Sequence, residues 1–268
     1  MFDKLSNSWE LVKASAAVLK ADSELLLFPV VSAILSVLVA VTFFVPALLT
    51  GVFRPGLADE VALSATGYAA IFLFYVVQYF VIFFCNTALV GAAMIRLRGG
   101  DPTVGDGFRI AATVGMVLRA ISERSGLLGR LVVGFVGLAW NLATFLVVPV
   151  LVAEDVGPVE TIRKSASYLK RTWGEQIVGN LGMGIVFGLI SFGTLLAGVV
   201  LIVVAAATKS AFLIIVVAVC LLMAFVAIAL VSSALSGIYA AAVYRYAAEG
   251  ETAGFFTPAM VKSAFRAK

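Results

Sequence analysis

Five stretches of this chain, residues 25–53, 67–95, 131–153, 176–208 and 210–244, contain no Asp, Glu, Lys or Arg. A helix needs about 20 apolar residues to cross the hydrocarbon core of a bilayer, and each stretch reaches that length. No water is available there to satisfy backbone donors and acceptors, so an open-chain span has to be helical. Tyr68, Tyr239 and Tyr244 stand near stretch ends, where aromatic rings suit the interface. The first stretch reads as an uncleaved span rather than a secretory signal, because its apolar run is long and four acidic residues (Asp3, Glu10, Asp22, Glu24) precede it.

Composition agrees. Hydrophobic residues make up 62% of the 268 and charged residues 13%, with a mean hydropathy of +1.11, whereas about a quarter of the residues of a soluble domain are charged. All 19 basic residues lie outside the five stretches. They gather before the first span (Lys4, Lys13, Lys20), after the second (Arg96 to Arg130), after residue 153 (Arg163, Lys164, Lys170, Arg171) and at the C-terminal end. Only Arg54 and Lys209 stand in the alternate connections. The positive-inside rule therefore expects a cytoplasmic N-terminus and C-terminus. The same loop bias accounts for the net charge of +4, so no nucleic-acid partner is expected.

Residues 96–130 and 154–175 both read as cytoplasmic, yet only one clear span, 131–153, separates them. A second crossing is needed. Residues 108–122 are the candidate: a short, half-membrane or tilted helix carrying Arg119. Otherwise 131–153 is re-entrant around Asn141 and Pro149.

A repeat supports the even count. Residues 12–20 (VKASAAVLK) match 162–170 (IRKSASYLK) at a separation of 150, and 92–96 (AAMIR) match 241–245 (AAVYR) at 149. Each unit reads as an amphipathic helix, a span, a short outer loop and a second span ending in Arg. The apolar stripes are Leu5, Trp9, Val12, Ala16, Leu19 and Val159, Ile162, Ala166, Leu169, Trp173, at helical spacing. With Lys13, Lys20, Lys164 and Lys170 opposite or beside them, these helices are expected on the membrane surface, chiefly as anchors. Pro158 suits a first-turn position. The fold expected is thus all-α: a polytopic transmembrane bundle of five clear spans plus a short sixth or re-entrant segment, in two tandem parallel repeats. Residues 1–268 form a single membrane domain, with repeat unit one at 1–100, a connector at 101–153, unit two at 154–250 and a cytoplasmic tail at 251–268.

Chemistry is sparse. His is absent, Cys85 and Cys220 sit in apolar stretches without a Cys-x-x-Cys spacing, and no phosphate-loop, nucleophile-elbow or zincin motif occurs. No catalytic residue, metal or cofactor is expected. No span carries an ionisable acid or base, which disfavours a proton- or ion-coupled pump. The intramembrane polar residues Gln78, Asn86, Asn141 and Asn180 read first as interhelical hydrogen-bonding groups and second as a ligand lining. Gly184-x-x-x-Gly188 and Ser233-x-x-x-Gly237-x-x-x-Ala241 provide small-residue faces for helix packing or a subunit interface.

The segments Ser8-Trp9, Leu27-Phe28-Pro29, Asn86-Thr87-Ala88-Leu89-Val90, Ala139-Trp140-Asn141, Val148-Pro149-Val150-Leu151-Val152 with Glu154, and Thr172-Trp173-Gly174-Glu175 resemble an uncharacterised prokaryotic family of multi-spanning membrane proteins, classed as a domain of unknown function. More distantly, the duplicated layout is similar to the membrane anchor of some glycerophosphodiesterases, without their catalytic domain. The resemblance implies a prokaryotic plasma (inner) membrane and carries over no activity. Against that family's pattern, more sequence is expected between Phe108 and Ala112. The function expected is a non-enzymatic scaffold or accessory subunit among membrane lipids, forming a homo-oligomer or binding another membrane protein. The alternative is a facilitator or lipid-handling transporter with a cavity between the repeats.

Overall fold

The computed structural model describes residues 2–49, 65–122, 158–249 and 254–256. Within them the chain is all-helical, with no strand: α1 (Phe2–Ala21), a short 3-10 turn (Ser23–Leu26), α2 (Leu27–Leu49), α3 (Ala65–Leu97), α4 (Val104–Ser122), α5 (Pro158–Ala207) and α6 (Ala211–Glu249). Four segments are long and apolar enough to cross a bilayer: Ser23–Leu49, Gly67–Leu97, Met183–Ala207 and Ala211–Tyr246. They coincide with four of the five charge-free stretches, which makes this a membrane protein; the fifth, 131–153, lies outside the described residues.

The break between α1 and α2 follows from proline, although Pro46 is accommodated inside α2. Pro29 lacks an N–H, and its ring collides with the carbonyl four residues earlier in a continuous helix. The chain accordingly leaves α1 at Asp22, with φ −143° and ψ 88°, passes through the 3-10 turn and starts α2 two residues before Pro29. No proline follows Pro158 within α5, and α5 runs unbroken for 50 residues, about 75 Å at 1.5 Å per residue. The surface helix and span expected as two elements in the second unit are therefore one helix, with Pro158 as its first residue.

The spans pair as two hairpins, α2 with α3 and α5 with α6. At the first tip Phe74 meets Phe43 and Phe44 edge-on, with ring centroids 5.8 and 5.3 Å apart. At the second, Thr208 and Lys209 bond back to Ala205 and Ala206, Lys209 takes a left-handed φ of 53°, and the Ser210 hydroxyl accepts from Leu213 N–H as an N-cap. Farther down this hairpin a Cβ on Gly198 would lie 2.5 Å from Leu221 Cδ1, so the two helices touch closely there.

Burial is concentrated at the opposite end, which carries Arg96 and Arg245. Leu11, Val18, Leu25, Phe28, Ala88 to Met94, Leu235 and Ile238 to Tyr244 form one cluster there. α1 packs on α5 and α6, and α3 packs on α6. The face of α1 that is covered is Ser8, Leu11, Val12, Ser15 and Val18, whereas Trp9 and Ala16 of the expected stripe stay exposed. α4 lies along α3 at the same end: Phe108 meets Phe28 edge-on at 5.3 Å and stacks on Phe84 at 5.9 Å. With Asp106 and Arg109 in its first turns, α4 is not one of the span-length apolar helices.

Toward the tips the helices are little buried among the described residues. Each keeps one half-buried stripe, such as Ile71, Phe74 and Gln78 on α3, while large apolar side chains on the other faces are open: Leu49 is 83% exposed, Phe72 71% and Phe212 75%.

Candidate functional site

The polar chemistry of the described residues collects where the hairpins meet. Three long-range ties hold helix ends together. Arg96 Nη2 donates to the Ala21 carbonyl at the end of α1 (3.4 Å), and its Nη1 reaches Gly100 O and Asp101 Oδ1, both at 3.3 Å. Arg245 donates to the Leu97 carbonyl at the end of α3. Glu24 Oε2 accepts the Val104 N–H that opens α4 (3.2 Å). Cations thus sit at helix C-termini and a carboxylate at an N-terminus, each opposite the partial charge it favours. A capping box completes the start of α4: Asp106 N–H donates to Thr103 Oγ1, while Thr103 N–H and hydroxyl donate to Asp106 Oδ2. These bonds hold the Asp106 carboxyl below its usual range.

Asp22 differs. It is buried, its Oδ2 has no hydrogen-bond partner among the described residues, and burial pushes its carboxyl above the usual aspartate range against the opposing pull of the Glu24 amide and the Arg96 charge. An acid raised in the folded state contributes stability below its unfolded pKa of about 4, and loses it as pH rises through the raised value. At neutral pH the charged carboxylate therefore weakens the fold. Asp22→Asn is expected to hold or raise the thermal midpoint at pH 7 and to flatten its dependence on pH above about 4. A lower midpoint at pH 7 would mean that attraction to Arg96 outweighs burial.

Just inside this charged collar lies a cavity of about 80 Å³ between α2, α3 and α6, lined by Phe28, Pro29, Ser32, Ile82, Cys85, Asn86, Leu89 and Ser233. Its floor is apolar and buried, whereas Asn86 and Ser233 are exposed at its opening. Leu89 closes it against Gly237, where a Cβ would stand 2.4 Å from Leu89 Cδ2 and 3.7 Å from Asn86 Oδ1.

Other candidates from the sequence are dispersed. Gln78 lies farther along α3, its Oε1 enclosed without a partner among the described residues. Asn141 is outside the described residues, and Asn180 lies in α5 where side chains are not described. Gly237 and Ala241 pack inside the chain, but a Cβ on Gly184 or Gly188 would meet nothing within 4 Å. Lys13 Nζ sits 5.7 Å over the exposed Trp9 ring, Lys20 is exposed, and Lys164 pairs with Glu160 at 3.9 Å. Lys170 and Trp173 belong to α5, their side chains outside the description. Sequence reasoning passed over Ser32 and the collar formed by Asp22, Glu24 and Arg96. The signal for the collar is a cluster of charges at the point where Pro29 forces the chain to turn.

A family model, described as a family of unknown function (DUF6159), matches residues 65–255, well over half of the chain. No curated protein and no solved structure matches it.

Proposed function

Because the chain belongs to the family of unknown function DUF6159, we propose its role from its own geometry: a non-enzymatic scaffold or accessory subunit that self-associates or binds another membrane protein. The observation that carries this reading is the confinement of packing to one end. Among the described residues, two apolar hairpins leave that core with large side chains exposed along their length. Large contiguous apolar surface marks an interaction site or a lipid contact, and helices associate in lipid where small residues let backbones approach. Gly184 and Gly188, one turn apart on α5 and open on their Cβ side, offer such an approach.

The reading includes two tandem units in a prokaryotic inner membrane, with both termini and the charged collar cytoplasmic. It is supported by the similar ends of α3 and α6, where Ala92 to Met94 and Ala241 to Tyr244 are buried just before an arginine that caps a neighbouring helix end. The alternative, a facilitator or lipid-handling protein with a cavity between the units, draws on the pocket at Asn86.

Native mass spectrometry of the gently extracted protein tests the scaffold. A defined oligomer or a stoichiometric protein partner is expected, lost in a Gly184→Leu, Gly188→Leu double variant whose thermal midpoint is unchanged. A partner-free monomer that moves a solute across liposomes would sink the reading.

A further inference from the structure

Three span threonines in this protein are satisfied at home. Thr42, Thr87 and Thr194 donate to the carbonyl four residues back at 2.8, 2.8 and 2.9 Å, a common way for a helix to absorb a hydroxyl. Asn86 has no such recourse. Its amide carries two donors and an acceptor, is exposed at the cavity opening, and has no hydrogen bond among the described residues. Ser233 faces the same opening from α6, and Ser32 lines it from α2. An amide left unpaired in hydrocarbon costs several kcal/mol.

Depth narrows the choice of partner. Counting about 1.5 Å per residue, Ser32 lies about 12 Å beyond Glu24, Asn86 about 15 Å beyond Arg96 and Ser233 about 18 Å beyond Arg245. The polar layer on each side of a bilayer is only about 5–7 Å thick. With the collar among headgroups, the cavity lies below the level a phosphate occupies, and the described residues of its lining include no cation. The group that fits is neutral, able both to donate and to accept, and borne on apolar chains. A volume of about 80 Å³ exceeds the roughly 15 Å³ a water requires and takes a hydroxyl with an adjoining ester. The chains then lie along the exposed apolar faces of α2, α3 and α6.

We infer that the cavity at Asn86, Ser233 and Ser32 binds the glycerol hydroxyl and ester of a neutral diacylglycerol-type lipid. The site needs the neighbouring faces of α2, α3 and α6 open to lipid, whereas the scaffold contact is placed at Gly184 and Gly188 on α5, so it goes beyond the scaffold reading. Its test uses the full-length protein in nanodiscs with two probes, a diazirine-bearing diacylglycerol and a phosphatidylcholine with the same acyl chain, and locates the label by peptide mass spectrometry. Labelling of the segments around Ser32 and Asn86 is expected from diacylglycerol in preference to phosphatidylcholine. It should fall about five-fold in Asn86→Leu, the worth of one net hydrogen bond, and persist in Asn86→Gln, which keeps the amide and controls for folding. Equal labelling by phosphatidylcholine, labelling confined to the hairpin tips, or a label undiminished in Asn86→Leu overturns the site. Oligomeric state, read on the same samples, reports on the scaffold separately.

Discussion

Gly237→Leu is expected to separate the two hairpins. A Cβ at this position falls 2.4 Å from Leu89 Cδ2 and 2.9 Å from Leu89 Cγ, well inside carbon–carbon contact, and Leu89 is itself only 1% exposed. Leu89 can retreat into the cavity it lines, which would fill the space beside Asn86. The remaining relief comes from α3 and α6 moving apart, and theirs is the largest contact between the hairpins. Overpacking of a tight interior costs about 1–3 kcal/mol, and a leucine adds three further carbons beyond the offending Cβ. The expected result is a clearly lower thermal midpoint in detergent, with a longer distance between spin labels on α3 and α6 near the collar. Gly188→Leu is the control, because its Cβ would enter open space; there the midpoint of the isolated subunit should stay put. Equal midpoints for the two variants would mean that α3 and α6 do not pack as described.

A second large effect is expected from Gly107→Ala. Here the obstacle is backbone as well as side chain: the new Cβ would stand 2.8 Å from the Ala88 carbonyl oxygen and 2.4 Å from Phe28 Cζ. A carbonyl inside a helix cannot swing away without breaking that helix, and the Phe28 ring is held by Phe108. α4 is expected to lift from α3 at a cost again of about 1–3 kcal/mol. Hydrogen exchange should rise across Val104–Ser122 while the tips of α5 and α6 keep their protection. Unchanged exchange in α4 would remove the close approach of α3 and α4 from the account.

The spans were legible because absence of charge over 20 or more residues has few physical explanations. Burial was not legible. In a bilayer the outward face of a helix is as apolar as the inward one, so no periodicity distinguishes Phe72, 71% exposed, from Phe28, 1% exposed. Residue size was the usable clue: Ala88, Gly91, Ala92, Ala93 on α3 and Ala234, Gly237, Ala241 on α6 are small where the chain is packed, whereas Phe, Leu and Val crowd the open halves. The stripe on α1 was misjudged for a related reason. Ser8 and Ser15 belong to its covered face, and counting only apolar residues hides two serines that fit close against neighbouring helices. Of the polar candidates, Asn86 and Ser233 come together at one cavity although 147 residues separate them in the chain; no sequence pattern links them, because the contact depends on how α3 crosses α6.

Confining the packed core to one end gives the molecule the mechanics of tweezers. The arms beyond Leu89 and Gly237 are stiff helices about 40 Å long at 1.5 Å per residue, and the buried cluster that joins the hairpins among the described residues gathers at the other end. A rotation of about 10° at the joint carries a tip of that length through about 7 Å. The charged collar, tied through Arg96, Arg245 and Glu24, stands at the fulcrum.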